Sequence, residues 1–479
     1  MARWLLILRT VIWLKPIQIW WRLYLKIWRP RPKTIRGVRI VPPERPWQAL
    51  ARAPSMTGPS TFRFLNREED LPGPKDWTRP DLPMLWLYNL HYFDDLTADD
   101  AAARTAWHRA LIQRWIAQHP APTKPGWDPY PTSLRIVNWA KWALAGHSLD
   151  AVAEASLGTQ ADWLSRRLEY HLLGNHLFAN GKALVFAGCV CDGPEAEIWL
   201  KKGLKILSEQ IPEQILEDGA HFERSVMYHA ILAADMLDLC QLAMTYPQKL
   251  QAHAALWQRK TAAMVGWLRT FCHPDGGIAF FNDGAFGIAP APAALFDHAA
   301  ALGVADPPPP AQGVSHAHHA GYARLAAGPA VLFCDVAPIG PGYLPGHAHA
   351  DTLSCELSLF GQRLFVNGGT SVYDADPSRR AFERSTAAHN SVEVDGRNSS
   401  EVWASFRAAR RATASVDRVS DEGPLCLAAH HNGYARIHGG PLHHRHWRLD
   451  ADSLTITDRL DGPFETAIAR YRLHPDVEA

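Results

Sequence analysis

The apolar pattern changes period near residue 310, and that change confines the chain to a helical half followed by a strand-built half. Upstream, apolar residues recur at helical spacing over 107–116, 133–144, 161–173, 183–189, 198–207, 226–242 and 254–270. Loops rich in Gly, Pro and Asp separate these stretches, so the pattern predicts a long all-α array. Asp306 and four prolines after it form a stiff link. Downstream the period becomes two: over 351–360, Leu353, Cys355, Leu357 and Leu359 alternate with Thr352, Ser354, Glu356 and Ser358. That alternation predicts a half-buried strand, and short strands near 363–366, 391–396, 413–419 and 453–458 extend it into an antiparallel sandwich. A further strand begins near Tyr471, so the sandwich is expected to be cut short. The expected organisation is a basic segment over 1–45, a helical domain over 46–306 and a β domain over 311–479.

With 479 residues the chain is too long for one ordinary core. Its net charge of +1 supplies no global field for nucleic acid, so a polyanion would need a local site. The seven cysteines include no CxxC and sit in apolar runs, which predicts buried free thiols rather than disulfides. Residues 1–43 carry ten Lys/Arg and no acid. Arg9, Lys15, Arg22 and Lys26 interrupt the apolar run there, so no span of the ~18–20 residues a membrane crossing needs is formed. Two readings remain open: an amphipathic helix on an anionic membrane surface, and a helix packed on the protein's own body.

Four polar clusters interrupt strong apolar patterns. Gly174-Asn175-His176 follows a predicted helix and is either a helix cap or a pair of groups turned into a cleft. In the stretch from Asp218 to His229, Tyr228 and Arg224 lie four residues apart and would share a helix face, where the guanidinium would favour a phenolate. Glu223 belongs to the same stretch. In Pro345-Gly346-His347-Ala348-His349-Ala350-Asp351, an extended chain would turn His347, His349 and Asp351 to one side, an arrangement suited to a metal or a substrate. Arg379, Arg380 and Arg384 would suit a carboxylate or sulfate, or form a solvated charge cluster; His389 follows them.

Taken in order, Gly174-Asn-His, the loop to Tyr228-His229, Gly346-His-Ala-His-Ala-Asp351, Leu364-Phe-Val-Asn-Gly-Gly-Thr370 and Arg384-Ser-Thr-Ala-Ala-His-Asn-Ser-Val392 resemble the heparinase II/III family of polysaccharide lyases and related alginate lyases. The resemblance implies an incomplete α/α toroid followed by an antiparallel β-sandwich. It implies β-elimination on an anionic, uronic-acid-containing polysaccharide, with Asn175 and His176 meeting the uronate carboxylate. Tyr228 would be the acid, or both acid and base, and His347 the base or its partner. Arg224, Glu223, Arg380 and Arg384 would contact substrate. One divalent ion, zinc, would fall on His349 and His389. The family's third ligand is an Asp where this chain has Asn367, a weaker ligand, so Asn367 either completes the metal site or hydrogen-bonds to His349. Leu14-Lys15-Pro16 resembles members that accompany bacterial surface-polysaccharide synthesis, which points to the cell envelope, periplasmic or membrane-associated, over the cytoplasm. Two alternatives compete. A glycoside hydrolase would need two carboxylates from Glu217, Asp218, Glu223 and Asp283. A non-catalytic glycan-binding protein of polysaccharide assembly would need neither.

Overall fold

A computed structural model describes residues 3–478; the first two residues of the basic segment and the last of the β domain lie outside it. The chain divides into two compact units. One comprises Pro16–Pro212 with Ala234–Arg259, the other Met1–Lys15 with Glu213–Ala233 and Lys260–Ala479.

The first unit is helical. Its centre is Gly174–Val190, in which every residue except His176 is buried. A helix apolar on all sides belongs inside a helical array rather than on its surface. Pro129–Leu144 packs against it, and Asn180 donates to Ser133 Oγ across that contact at 3.0 Å. Gly188 lets a second helix close in, since a Cβ there would lie 2.5 Å from Leu200 Cβ. The helix expected over 161–173 is instead Ala151–Ser165, begun by the Asp150 carboxylate, which accepts from Ala153 N. Residues 166–173 leave the helix because their hydrogen bonds go elsewhere: Glu169 N donates to Asn180 Oδ1 at 2.8 Å. Leu173 has a left-handed φ of 67°, and Gly174 therefore starts a helix rather than capping one. The helix Met84–Tyr92 showed no period in the sequence because it is apolar nearly all round.

The second unit holds the sandwich. A five-stranded antiparallel sheet runs Gly313–Ala317, Tyr322–Ala327, Ala330–Asp335, Cys355–Leu359, Gln362–Phe365. A four-stranded sheet runs Ala414–Ser420, Leu425–His431, Leu442–Leu449, Leu454–Asp461. Leu325, Leu332 and Leu357 of the first meet Leu427, Trp447 and Leu449 of the second in one core. The strand expected over 351–360 begins only at Cys355, and both of its faces are buried. Its polar face is satisfied internally: Glu356 and Ser358 each hydrogen-bond to His273 at 2.7 Å. All seven cysteines are free, six of them buried.

Two short helices, Arg3–Val11 and Pro16–Ile27, form the basic segment. Each has one engaged side. In the first, Thr10 Oγ1 accepts from Trp403 Nε1 at 3.1 Å and Arg9 pairs with Glu401 at 3.2 Å. In the second, Trp21 stacks on Tyr170 at 5.1 Å and Gln18 donates to Leu172 O. The other side of each is apolar and open: Trp4 is 63% exposed, Trp20 55% and Ile27 85%. The helix Val226–Thr245 is long and apolar enough to cross a membrane, yet its apolar window is 83% buried, as in the core helix of a folded domain.

Candidate active site

In the second unit the site is built around one carboxylate, Asp283. It is fully buried in a loop that follows Phe280-Phe281-Asn282. Arg380, on the short helix Pro377–Glu383, pairs with both of its oxygens. His347 Nδ1 and His349 Nε2 each hydrogen-bond to it at 2.8 Å, as does Thr370 Oγ1. Burial pushes this carboxyl up, but the two imidazoles and the Arg380 charge outweigh burial and hold it well below the usual carboxylate range. Because Asp283 is thus an acceptor only, both histidine nitrogens that face it donate. Thr370 reaches Asp283 because the backbone folds tightly beneath it. Gly369 has φ of 61°, and a Cβ there would lie 2.4 Å from the Gly284 carbonyl oxygen.

His347 is held on its other nitrogen as well, where Nε2 meets Glu223 at 3.3 Å. Its ring stacks on Tyr228 with centroids 3.7 Å apart and planes inclined by 28°. Tyr228 Oη lies 3.1 Å from Tyr373 Oη. Burial, followed by the Asp283 charge, raises the Tyr373 phenol, so it stays protonated. Phenol, imidazole and paired carboxylates thus share one cluster.

The arginines take different places. Arg224 precedes the helix Val226–Thr245, with a left-handed φ of 59°, so the four-residue spacing to Tyr228 does not give a shared helix face. Its guanidinium donates to the carbonyls of Ala320 and His319. Arg384 is buried and donates to the carbonyls of Ala348, Ala404 and Arg407, and burial lowers its pKa to about 9. With Arg380 and Arg384 buried and Arg379 paired with Glu383, the cluster is not the solvated one that charge density suggested.

His349 and His389 meet as expected, Nδ1 to Nε2 at 3.1 Å. His389 Nδ1 hydrogen-bonds to the Ser385 carbonyl at 2.7 Å, and burial holds the ring neutral, its pKa lowered to about 4. The two facing imidazole nitrogens share a hydrogen bond, and a cation could take the place of the proton between them. The third member is Asp351, since ligand atoms of His349, Asp351 and His389 all lie within 4.8 Å of one another. Asn367 is engaged elsewhere. Its backbone N donates to Glu356 and its Oδ1 accepts from Asn390 N, while its amide nitrogen, a donor that cannot ligate, is buried without a partner among the described residues. The hydrogen bonds of His349 go to Asp283, His389, Thr370 and the Asn282 side chain, not to Asn367.

In the first unit, Asn175 and His176 begin the helix Gly174–Val190. Asn175 is buried and His176 half-exposed. His176 Nδ1 bonds to Glu169 at 3.1 Å, and its ring lies 4.5 Å from that of Tyr130. Burial raises the Glu169 carboxyl, but His176 and Asn180 outweigh it and lower it overall. Asp283 was visible in the sequence only as one of four loose acids. Glu169, just ahead of Gly-Asn-His, and Tyr373, in an irregular loop, carried no pattern.

Residues 97–292 match the family description "Heparinase II/III N-terminus", and residues 309–479 match "Heparinase II/III-like, C-terminal". FtsZ-localized protein C of Caulobacter vibrioides is 27% identical over 417 residues, spanning 82% of this chain and 70% of that protein. A heparin-sulfate lyase of Bacteroides thetaiotaomicron is 27% identical over 201 residues, 36% of this chain and 27% of that protein. The crystal structure of heparinase III superposes with a TM-score of 0.64 at 19% identity, over 78% of this chain. The chain spans 62% of that structure's length, and the likeness establishes the fold: an incomplete toroid followed by a β-sandwich.

Proposed function

The chain belongs to the heparinase II/III family, and on that premise we propose that it is a polysaccharide lyase that cleaves uronic-acid-containing chains by β-elimination. The observation that carries the reading is the Tyr228–His347 stack, fixed by Glu223 and Asp283. In such a reaction a base takes the C5 proton of the uronate. The C4–O bond breaks, an acid protonates the departing oxygen, and a C4–C5 double bond remains. Both nitrogens of His347 face carboxylates, so neither is turned toward a sugar. The proton carrier is therefore Tyr228, base first and acid second, with His347 as its partner. Asn175 and His176 offset the uronate carboxylate, without which the C5 proton is hardly acidic. Glu223, Arg380 and Arg384, buried and engaged by protein groups, hold this frame; Arg224 lies nearest to solvent of the charged set. Residues 46–306 and 311–479 would be the corresponding toroid and sandwich domains, with Glu213–Ala233 and residues 260–306 of the first packed in the compact unit that holds the sandwich. His349, Asp351 and His389 would hold one zinc ion, a set of nitrogen and oxygen donors that suits it. Zinc would supply a fixed positive charge there.

The test is incubation of the purified chain with a panel of uronate polymers, read at the ultraviolet absorbance of the unsaturated ends. Tyr228→Phe keeps the ring and removes the proton carrier, and a rate loss of at least ~10²–10⁴ is expected. Undiminished absorbance from that variant overturns the assignment. Cleavage without new absorbance would mean hydrolysis, and saturable polymer binding without turnover would mean a glycan-binding protein.

A second observation bears on location. The open sides of Arg3–Val11 and Pro16–Ile27 join exposed Trp4, Leu8, Trp20 and Leu23 to a segment with ten cationic and no anionic side chains up to residue 43. That combination suits peripheral contact with an anionic lipid surface, at the bacterial cell envelope. Co-sedimentation with vesicles containing phosphatidylglycerol, lost in Trp20→Glu with Leu23→Glu, would bear this out; equal sedimentation would refute it.

A further inference from the structure

The outer face of the four-stranded sheet carries a second group of metal-ligating side chains, remote in sequence from the site above. His430 and His444 are direct register partners on neighbouring strands, so their rings stand side by side with centroids 5.1 Å apart. Asp417 comes from the next strand over. The register between that strand and its neighbour shifts between Val416 and Arg418, leaving Asp417 as the extra residue of a bulge. A bulge re-aims the side chain it inserts. Here it brings both oxygens of Asp417 to 2.8 and 2.9 Å from His430 Nδ1. Ligand atoms of Asp417, His430 and His444 all lie within 4.8 Å of one another. All three side chains are between 26 and 43% exposed, and although His444 Nε2 is itself buried, rotation of that ring would bring it to an ion from solution. The inner face of the same strands is packed in the core, through Leu427, Ala429 and Trp447 and through buried His431, His443 and Arg445, so strand positions rather than loops set the spacing.

We propose that Asp417, His430 and His444 form a surface site for one transition-metal ion of the zinc class. Two imidazoles and a carboxylate are the donors such an ion selects over magnesium or calcium. Tetrahedral bonds of about 2.0–2.1 Å need ligand atoms about 3.3 Å apart, which small rotations of half-exposed side chains supply. Asp461 stands at the rim, 3.2 Å from His444 Nε2, but also meets Arg459 at 2.8 Å. A bound ion would tie three adjacent strands together, displacing the proton that His430 shares with Asp417.

The experiment is calorimetric titration of the chelator-treated, tag-free chain with zinc chloride, paired with thermal unfolding. The chain is expected to bind zinc at micromolar concentration. His430→Ala and His444→Ala should each remove one equivalent or weaken it at least tenfold, with part of the zinc-induced rise in Tm lost. Any zinc on His349, Asp351 and His389 is common to all these proteins and cancels. Asp417→Asn, which changes no shape, gives the same reading should an alanine variant fail to fold. Equal stoichiometry and affinity in the variants, or no zinc bound by the parent chain at 100 µM on the order of a weak site's Kd, would overturn the proposal.

Discussion

Asp283 and Glu169 are both buried carboxylates that hold a histidine, one in each unit, and they are stabilised in different ways. Asp283 faces Arg380, whose charge is permanent, and adds two imidazoles and a hydroxyl. Glu169 leans on His176 and the neutral Asn180 amide. Both end below the ordinary carboxylate range. The first owes its charge to the hydrogen bonds of His347 and His349 together with a fixed cation that burial cannot neutralise cheaply. The second depends on a histidine that is itself half-exposed. A carboxylate of the first kind is a frame for chemistry; one of the second kind is a local clasp.

Substitutions can break that comparison. Asp283→Asn leaves Arg380 buried without its partner, and a loss of about 3–5 kcal/mol is expected in chemical denaturation. Glu169→Gln keeps shape and most hydrogen bonding, so a smaller loss of about 1–3 kcal/mol is expected. The reverse order would mean that the permanent cation is not what distinguishes them. Titration sharpens the point. Asp283, with a depressed pKa, contributes stability that is present above the ordinary 3.8 and is lost as pH falls through its lower folded value. Its contribution is therefore flat from pH 8 to 5. His229 behaves in the opposite region. Burial lowers its pKa to about 3, with Nε2 bonded to Met264 O and Nδ1 accepting from His221 N. Between the ordinary 6.5 and that value the unfolded chain binds the extra proton, so stability falls as pH falls, by up to about 1.4 kcal/mol per unit. Denaturation midpoints from pH 7 to 4.5 check this, and His229→Gln should flatten the slope; an unchanged slope assigns the decline elsewhere.

The architecture was readable because it rests on period. The helices near 107–116, 133–144 and 226–242 appear with their ends extended, and the switch to alternation marks the sheets. Burial on both faces defeats that logic. Cys355–Leu359 looked half-solvated because Glu356 and Ser358 are polar, yet their partner His273 lies some eighty positions away, where no local pattern points to it. The site shows the same split. The histidines and Tyr228 stood out as polar breaks in apolar runs. Asp283 and Tyr373 depend on contacts between distant segments, as does the meeting of His389 with His349 and Asp351. The arginines show it too: Arg380 and Arg384 suit a ligand's carboxylate or a solvated cluster in the sequence, and in the fold they meet an internal carboxylate and backbone carbonyls.

Gly369 has one more implication. A methyl group at that position would strike the Gly284 carbonyl, push the chain outward and carry the neighbouring threonine off the aspartate. Part of the charge at the centre of this unit is thus specified by an atom that is missing, and a search for important positions that ranks only functional groups would pass over it.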